Sequence, residues 1–194
     1  MKLVATCSQT VGPFFSIGLT PLITPDIAGS AVEGQRLTIQ GRVLDGVGKG
    51  IDDAVLEVWQ ANRHGRYHHP ADTQDKPLQE NFHGFGRMMT NDEGAFSFTT
   101  IKPGPVPGPH GTVQAPHLVV AVGMRGLLKH LLTRIYFPDE LDNAQDPILQ
   151  LVDPSRRATL IAKDTTAEKA TAHNHVLEWN VICQGENETV FFDY

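Results

Sequence analysis

The sequence predicts an all-β protein, a β-sandwich with an extended N-terminal arm and one or two short helices. Three observations carry the prediction. About seven short runs rich in β-branched, aromatic and other apolar residues follow one another along the chain. Gly and Pro, 18 and 13 of the 194 residues, punctuate them. Apolar and polar residues alternate within several runs, as in a half-buried strand, and only one stretch carries a helix-capping signal.

Residues 1–35 are expected to form the arm and residues 36–194 the sandwich domain. Pro13, Pro21 and Pro25 are spaced so that long helices are excluded from the arm. Phe14, Phe15, Ile17, Leu19, Leu22 and Ile23 give it more apolar surface than a disordered tail carries, so it should bury itself on its own domain or on a neighbour. Leu37, Ile39 and Val43 share one face of the first strand, which ends at Asp45-Gly46. Gly48, Lys49 and Gly50 fit a connection to a second strand, Ala54 to Gln60. Phe96 and Phe98 share a face after the turn Asn91-Asp92-Glu93-Gly94. Leu118 to Val122 is a continuous apolar run, expected to be buried on both faces, and Leu132 to Phe137 is a further strand. Asp153 can cap a helix with Pro154 in its first turn and Ser155 to Lys163 as its body. Residues 164–174 should be an exposed loop. Leu177, Trp179, Val181 and Cys183 then point one way, with Glu178 and Asn180 pointing the other. Thr189 to Phe192 is the last expected strand.

Composition excludes several function classes. The net charge is −6 and no basic stripe appears, which argues against nucleic-acid binding. No uninterrupted apolar stretch approaches the roughly 20 residues that a membrane span needs. The start, from Met1 to Ser8, lacks an apolar core of secretory length. Two cysteines, Cys7 and Cys183, do not make a disulfide framework. A cytoplasmic setting is expected.

The most informative segment runs from Gly104 to Val119: Gly104-Pro105-Val106-Pro107, a short loop, then Gln114-Ala115-Pro116-His117-Leu118-Val119. It resembles the iron-binding stretch of intradiol ring-cleaving dioxygenases. In catalytic chains of that family a Tyr follows Gly-Pro, and Arg-Pro-Ala-His-x-His follows the loop. Val106 stands at the Tyr position, Gln114 at the Arg position, His117 at the first His and Val119 at the second. The resemblance extends from about Ser8 to Tyr194. It includes Ser8-Gln9-Thr10-Val11-Gly12-Pro13, Leu56 to Asn62 with Gly65-Arg66-Tyr67, Phe85-Gly86-Arg87, Thr133 to Phe137 and Leu160 to Lys163. The ending, Gly185 to Asp193, is more similar to the family's alpha chains than to its catalytic beta chains. The resemblance implies a prealbumin-like β-sandwich within an alpha–beta heteromer of higher order.

Family chemistry requires two Tyr and two His on Fe(III), because hard phenolate anions stabilise the ferric state. Here Tyr67 and His117 occupy two of those positions, and valine offers no lone pair at the other two. The resemblance therefore implies no metal ligands and no catalytic residues in this chain alone. Fe(III) would be held by the beta subunit of the assembled enzyme, acting on a small aromatic substrate and O2. Substrate contacts are implied for Thr10, Gly12 and Pro13, as a wall of the partner's site, and for Arg134, whose guanidinium suits a carboxylate. The alternative for Thr10, Gly12 and Pro13 is a turn anchoring the arm, and for Arg134 a surface charge on an exposed strand face. His64, His68, His69, His83, His110, His130, His173 and His175 read as solvated or hydrogen-bonded histidines, and Trp59 and Trp179 as core packing. Two other classes stay open: an independent metalloenzyme with rearranged ligands, and a non-catalytic ligand-binding sandwich.

Overall fold

A computed structural model describes residues 4–12, 14–29, 31–165 and 175–193. Apart from short 3-10 turns, its regular structure is one short helix, α1 (Phe14–Leu19), and β-strands. The strands are β1 (Arg36–Leu44), β2 (Val55–Trp59), β3 (Phe85–Met89), β4 (Ala95–Ile101), β5 (Val106–Pro107), β6 (Val113–Gln114), β7 (His117–Gly123), β8 (Leu131–Tyr136), β9 (Lys163–Asp164), β10 (His175–Glu178) and β11 (Val181–Ile182). No helix among the described residues is long and apolar enough to cross a membrane.

Two sheets enclose the main core. In the first, β1 pairs antiparallel with β4 on one side and parallel with β10 and then β11 on the other, while β9 pairs with β10. The second is antiparallel throughout, in the order β3-β2-β7-β8. Leu37, Ile39, Val43, Phe96 and Phe98 from the first sheet meet Leu56, Val58, Leu118, Val120 and Val122 from the second. Strand periodicity explains the arrangement, since every second side chain faces inward.

β1 changes partner at Gly41. A Cβ there would lie 1.7 Å from the Trp179 carbonyl oxygen, so the position tolerates no side chain. Around it, Trp179 N–H donates to Gln40 O at 2.9 Å, and Asn180 Oδ1 accepts from Arg42 N–H at 2.8 Å. The Trp179-Asn180 step thus carries the chain from β10 to β11 while Leu177, Trp179 and Val181 stay in the core.

Residues 24–29 lie along the edges of β3 and β4. Thr24 N–H donates to Arg87 O at 2.9 Å, and Ile27 N–H donates to Thr99 O at 2.9 Å. Ile27 enters the main core, and Ala28 and Val32 pack with Phe82 and Ile101. Phe14, Ile17 and Leu22 remain largely exposed.

Several sequence expectations need correction. Leu118 to Val122 is not buried on both faces. Leu118, Val120 and Val122 are fully buried, but Val119 and Ala121 on the other face are only partly covered. The helix expected behind Asp153 is a 3-10 turn at Arg157–Leu160. Asp153 closes a local turn with Ser155 instead, and Ala162 N–H bonds Tyr136 O, which pulls the chain straight along the edge of β8. Thr189 to Phe192 forms one isolated bridge, Phe192 to Leu132, rather than a strand. In the expected loop 164–174, Asp164 belongs to β9, Thr165 is buried, and residues 166–174, with His173, lie outside the described residues. The sequence pattern does not predict the strand β3. Its Gly86 breaks the apolar pattern because a Cβ there would strike Ile27 and the Thr24 carbonyl.

Candidate functional site

The outward face of the second sheet carries a cleft of about 680 Å³. With Leu118 and Val120 turned inward, His117 and Val119 face out. Register then decides their neighbours. Val119 lies opposite Trp59 of β2 and Arg134 of β8, and His117 lies opposite Tyr136. Trp59, Val119 and Arg134 therefore form a row across three strands. The hairpin β5–β6 adds Val106, Pro107 and Gln114 as one wall, and the loop from Tyr67 to Gln74 adds another.

That loop is held by Asp72, whose carboxylate accepts from Tyr67 N–H at 2.7 Å and Gln74 N–H at 3.0 Å. The Trp59 ring meets Tyr67 edge-on at 6.2 Å and His69 at 5.6 Å. Trp59 is 40% exposed and lines the cleft. The expectation that it packs the core is wrong, because it shares the outward face of β2 with Glu57 while Leu56 and Val58 point inward. Trp179 is in the core, as expected, with its indole N–H donating to Thr159 O at 3.0 Å.

Beneath the cleft lies a buried polar chain. Arg134, 7% exposed, donates to Gln114 Oε1 at 2.7 Å and approaches the Tyr136 hydroxyl at 3.4 Å. Tyr136 donates to Asp146 Oδ1 at 3.0 Å. Asp146 is fully buried and also accepts backbone N–H groups from Ala115, Ile148 and Leu149. Burial raises the Tyr136 pKa, so its proton stays on the phenol.

His117 Nδ1 lies 2.7 Å from the Ala115 carbonyl oxygen. A carbonyl cannot donate, so Nδ1 carries the proton and Nε2 keeps its lone pair. Burial, and then the positive charge of Arg134, lower the His117 pKa from 6.5 to about 4. The ring is neutral at pH 7. Below pH 6.5 the unfolded chain takes up a proton that the folded chain refuses until about pH 4, so stability falls across that window as pH drops. The loss should approach ~3 kcal/mol. Urea unfolding of the native chain and of His117→Gln between pH 7 and pH 4 checks it, since only the native chain should show this contribution to the slope.

The cleft presents, at the positions matched to the family's ligands, one phenol (Tyr67), one imidazole (His117) and two isopropyl groups (Val106 and Val119). Among the described residues, no three His, Cys, Asp or Glu side chains converge. His68 Nδ1 lies 2.9 Å from Phe82 O, with its ring 5.1 Å from His83, and His64 accepts from Arg63. A donor set with two apolar members out of four does not fit a ferric ion. A buried cation, a neutral imidazole and an aromatic rim suit a planar organic anion instead.

None of the arm's described residues lines this cleft. Thr10 Oγ1 accepts from Gly126 N–H at 2.8 Å, in the turn beyond the Gly123 end of β7, beside Arg125 and its partners Asp52 and Asp53. Gly12 is exposed, with nothing within 4 Å of where a Cβ would stand. Pro13 lies outside the described residues. Arg134 therefore sits apart from Thr10 and Gly12. Sequence reasoning missed Trp59, Tyr136 and Asp146 as parts of the site. Strict alternation along β2 would have placed Trp59 outside the core, while nothing local marks Asp146.

A family model described as Dioxygenase matches residues 20–185. The protocatechuate 3,4-dioxygenase alpha chain of Burkholderia cepacia is 41% identical over 203 residues, spanning 98% of each chain. The beta chain from the same organism is 40% identical over 161 residues, 80% of this chain and 67% of that one. Among solved structures, 3-chlorocatechol 1,2-dioxygenase from Rhodococcus opacus superposes with a TM-score of 0.65 at 18% identity, covering 94% of this chain and 69% of that one. At that identity the likeness concerns the fold alone.

Proposed function

The chain belongs to the intradiol ring-cleaving dioxygenase family, and on that premise we propose that it is the alpha subunit of a protocatechuate 3,4-dioxygenase. The observation that carries this is end-to-end likeness to an alpha chain, combined with valine at two of the four ligand positions facing the cleft. The assembled enzyme adds both atoms of O2 to protocatechuate and opens the ring between the hydroxyl-bearing carbons, giving 3-carboxy-cis,cis-muconate. The beta subunit holds Fe(III). This chain holds none and is inactive alone.

The roles left to it are structural and positional. The fold is assigned to the prealbumin-like sandwich class, with residues 1–35 as the arm and 36–194 as the domain. The exposed side chains of Phe14, Ile17 and Leu22 support a covered arm, because apolar surface of that kind calls for a neighbour. Thr10, Gly12 and Pro13 wall the partner's active site. Gly12 has the open surroundings that allow close backbone approach to a ligand. The complex is a cytoplasmic alpha–beta oligomer of higher order.

Arg134 is assigned to the substrate carboxylate. Its guanidinium lines a cleft and is mostly shielded from water, where a charged hydrogen bond is stronger than at the surface. Arg134→Ala in the assembled enzyme should raise KM for protocatechuate more than it lowers kcat. Steady-state kinetics check this, and unchanged constants would remove Arg134 from the substrate site. Assembly is tested by co-expression with a beta chain. The expected result is a stable equimolar complex, and two chains that elute separately would overturn the proposal.

A further inference from the structure

The connection from β2 to β3 carries two exposed histidines that none of the roles above uses, His68 and His83. Their ring centres lie 5.1 Å apart, with the planes tilted by 52°. Two imidazoles bound to one tetrahedral zinc ion have their centres roughly 5 Å apart, given a Zn–N bond of about 2.0–2.1 Å. His68 Nδ1 lies 2.9 Å from Phe82 O. A carbonyl only accepts, so Nδ1 carries the proton and Nε2 keeps its lone pair. A backbone carbonyl behind one ring nitrogen is the usual support of a histidine whose other nitrogen holds a metal. The support is rigid, because the Phe82 side chain is buried with Ala28, Val32 and Ile101. Asn81 and Gly84 take left-handed conformations, φ 66° and 67°, which both residue types adopt readily, and they fix the course of the chain around Phe82 and His83.

We propose that His68 and His83 form a binding site for a divalent transition ion, zinc above all, that closes the β2–β3 connection. Imidazole suits zinc, copper and nickel, whereas magnesium and calcium take oxygen ligands. No third His, Cys, Asp or Glu joins the pair among the described residues, so water completes the shell. An ion held by two protein ligands exchanges readily, unlike a structural zinc held by four. The consequence lies in the segment between the two ligands. Residues 69–82 include His69, Asp72 and Gln74 of the cleft wall, and Tyr67 directly precedes His68. Linking the ends of that segment removes chain freedom from the wall. The pair is distinct from the four positions matched to the family's ligands, so zinc binding here stands or falls independently of the alpha-subunit assignment.

The test is calorimetric titration of the full-length, untagged chain, stripped of metal by a chelator, with zinc chloride. The expected result is one zinc per chain with Kd below about 100 μM, and no binding of magnesium at the same concentration. His68→Gln and His83→Gln should each weaken zinc binding by at least about tenfold, while His130→Gln, outside this connection, should leave it unchanged. Zinc should raise the melting temperature of the native chain and of His130→Gln, but not of the other two variants. The Trp59 ring touches Tyr67 and His69, on either side of His68, so its emission should change with the same midpoint as the heat. Both histidines are exposed, so their variants should fold, and if one does not, the other decides. A chain that takes up no zinc, or folded His68→Gln and His83→Gln variants that bind it as tightly as the native chain, would overturn the proposal. Zinc bound with no change in indole emission would overturn the closure of the wall. If the lone chain precipitates, equilibrium dialysis of the assembled complex replaces the titration. Each of the two variants should then lose one zinc per alpha–beta pair, and no loss contradicts the proposal.

Discussion

Asp146→Ala should lower the unfolding free energy by about 3–5 kcal/mol, the largest loss expected from a single polar side chain here. The carboxylate is fully buried and accepts four hydrogen bonds, from the N–H groups of Ala115, Ile148 and Leu149 and from the Tyr136 hydroxyl. Alanine leaves all four donors without their acceptor, in a region closed to water by Ala115, Tyr136, Leu149, Val152 and Leu160. Each stranded donor costs about 1–3 kcal/mol, and partial relaxation keeps the sum below the simple total. The same carboxylate ties the segment before β7 to the 3-10 turns after β8, so its loss should also loosen His117 and Arg134. Asp146→Asn preserves volume but exchanges one acceptor oxygen for a donor, and should cost roughly half as much. Urea midpoints at constant m measure both. An Asp146→Ala midpoint close to that of the native chain would mean that water or a rearranged turn satisfies those donors.

The largest change in function is expected from Val106→Tyr combined with Val119→His. Both valines line the cleft together with Tyr67 and His117. The double substitution would complete two phenols and two imidazoles, a donor set in which anionic oxygen stabilises the ferric state. Histidine at 119 would stand two residues along β7 from His117, on the same face of the strand. The variant should bind about one iron per chain and show a visible tyrosinate-to-iron absorption band, and the native chain should show neither. Val119→His alone supplies three donors and should bind iron more weakly. A folded double variant that stays colourless would show that the valines are not what keeps iron out.

Much of the framework was legible in the sequence. Alternation in Leu37, Ile39 and Val43, in Phe96 and Phe98, and in Leu177, Trp179 and Val181 identified side chains that line the main core. It failed where tertiary contact overrides local pattern. Gly86 breaks the strand signal of β3 because residues 24–27 lie across it. Asp153 and Pro154 look like a helix start, but pairing of Ile161 and Ala162 with the edge of β8 draws the chain out after one 3-10 turn. The cleft was legible in Tyr67 and His117, at two of the family's ligand positions, and in the valines at the other two, because two linear motifs hold them. Trp59 is a large apolar residue on a strand, but the phase of β2 turns it outward into the cleft. Asp146 had no local signature. It acts through donors contributed by residue 115, residue 136 and its own turn, which only the folded chain brings together.

The most direct measurement is iron content and ring-cleaving activity of this chain, purified alone and after co-expression with a beta subunit. The account predicts a colourless, inactive polypeptide by itself, and one iron per alpha–beta pair with full activity in the complex. An isolated chain that carries stoichiometric ferric iron at Tyr67 and His117 and converts protocatechuate would contradict it.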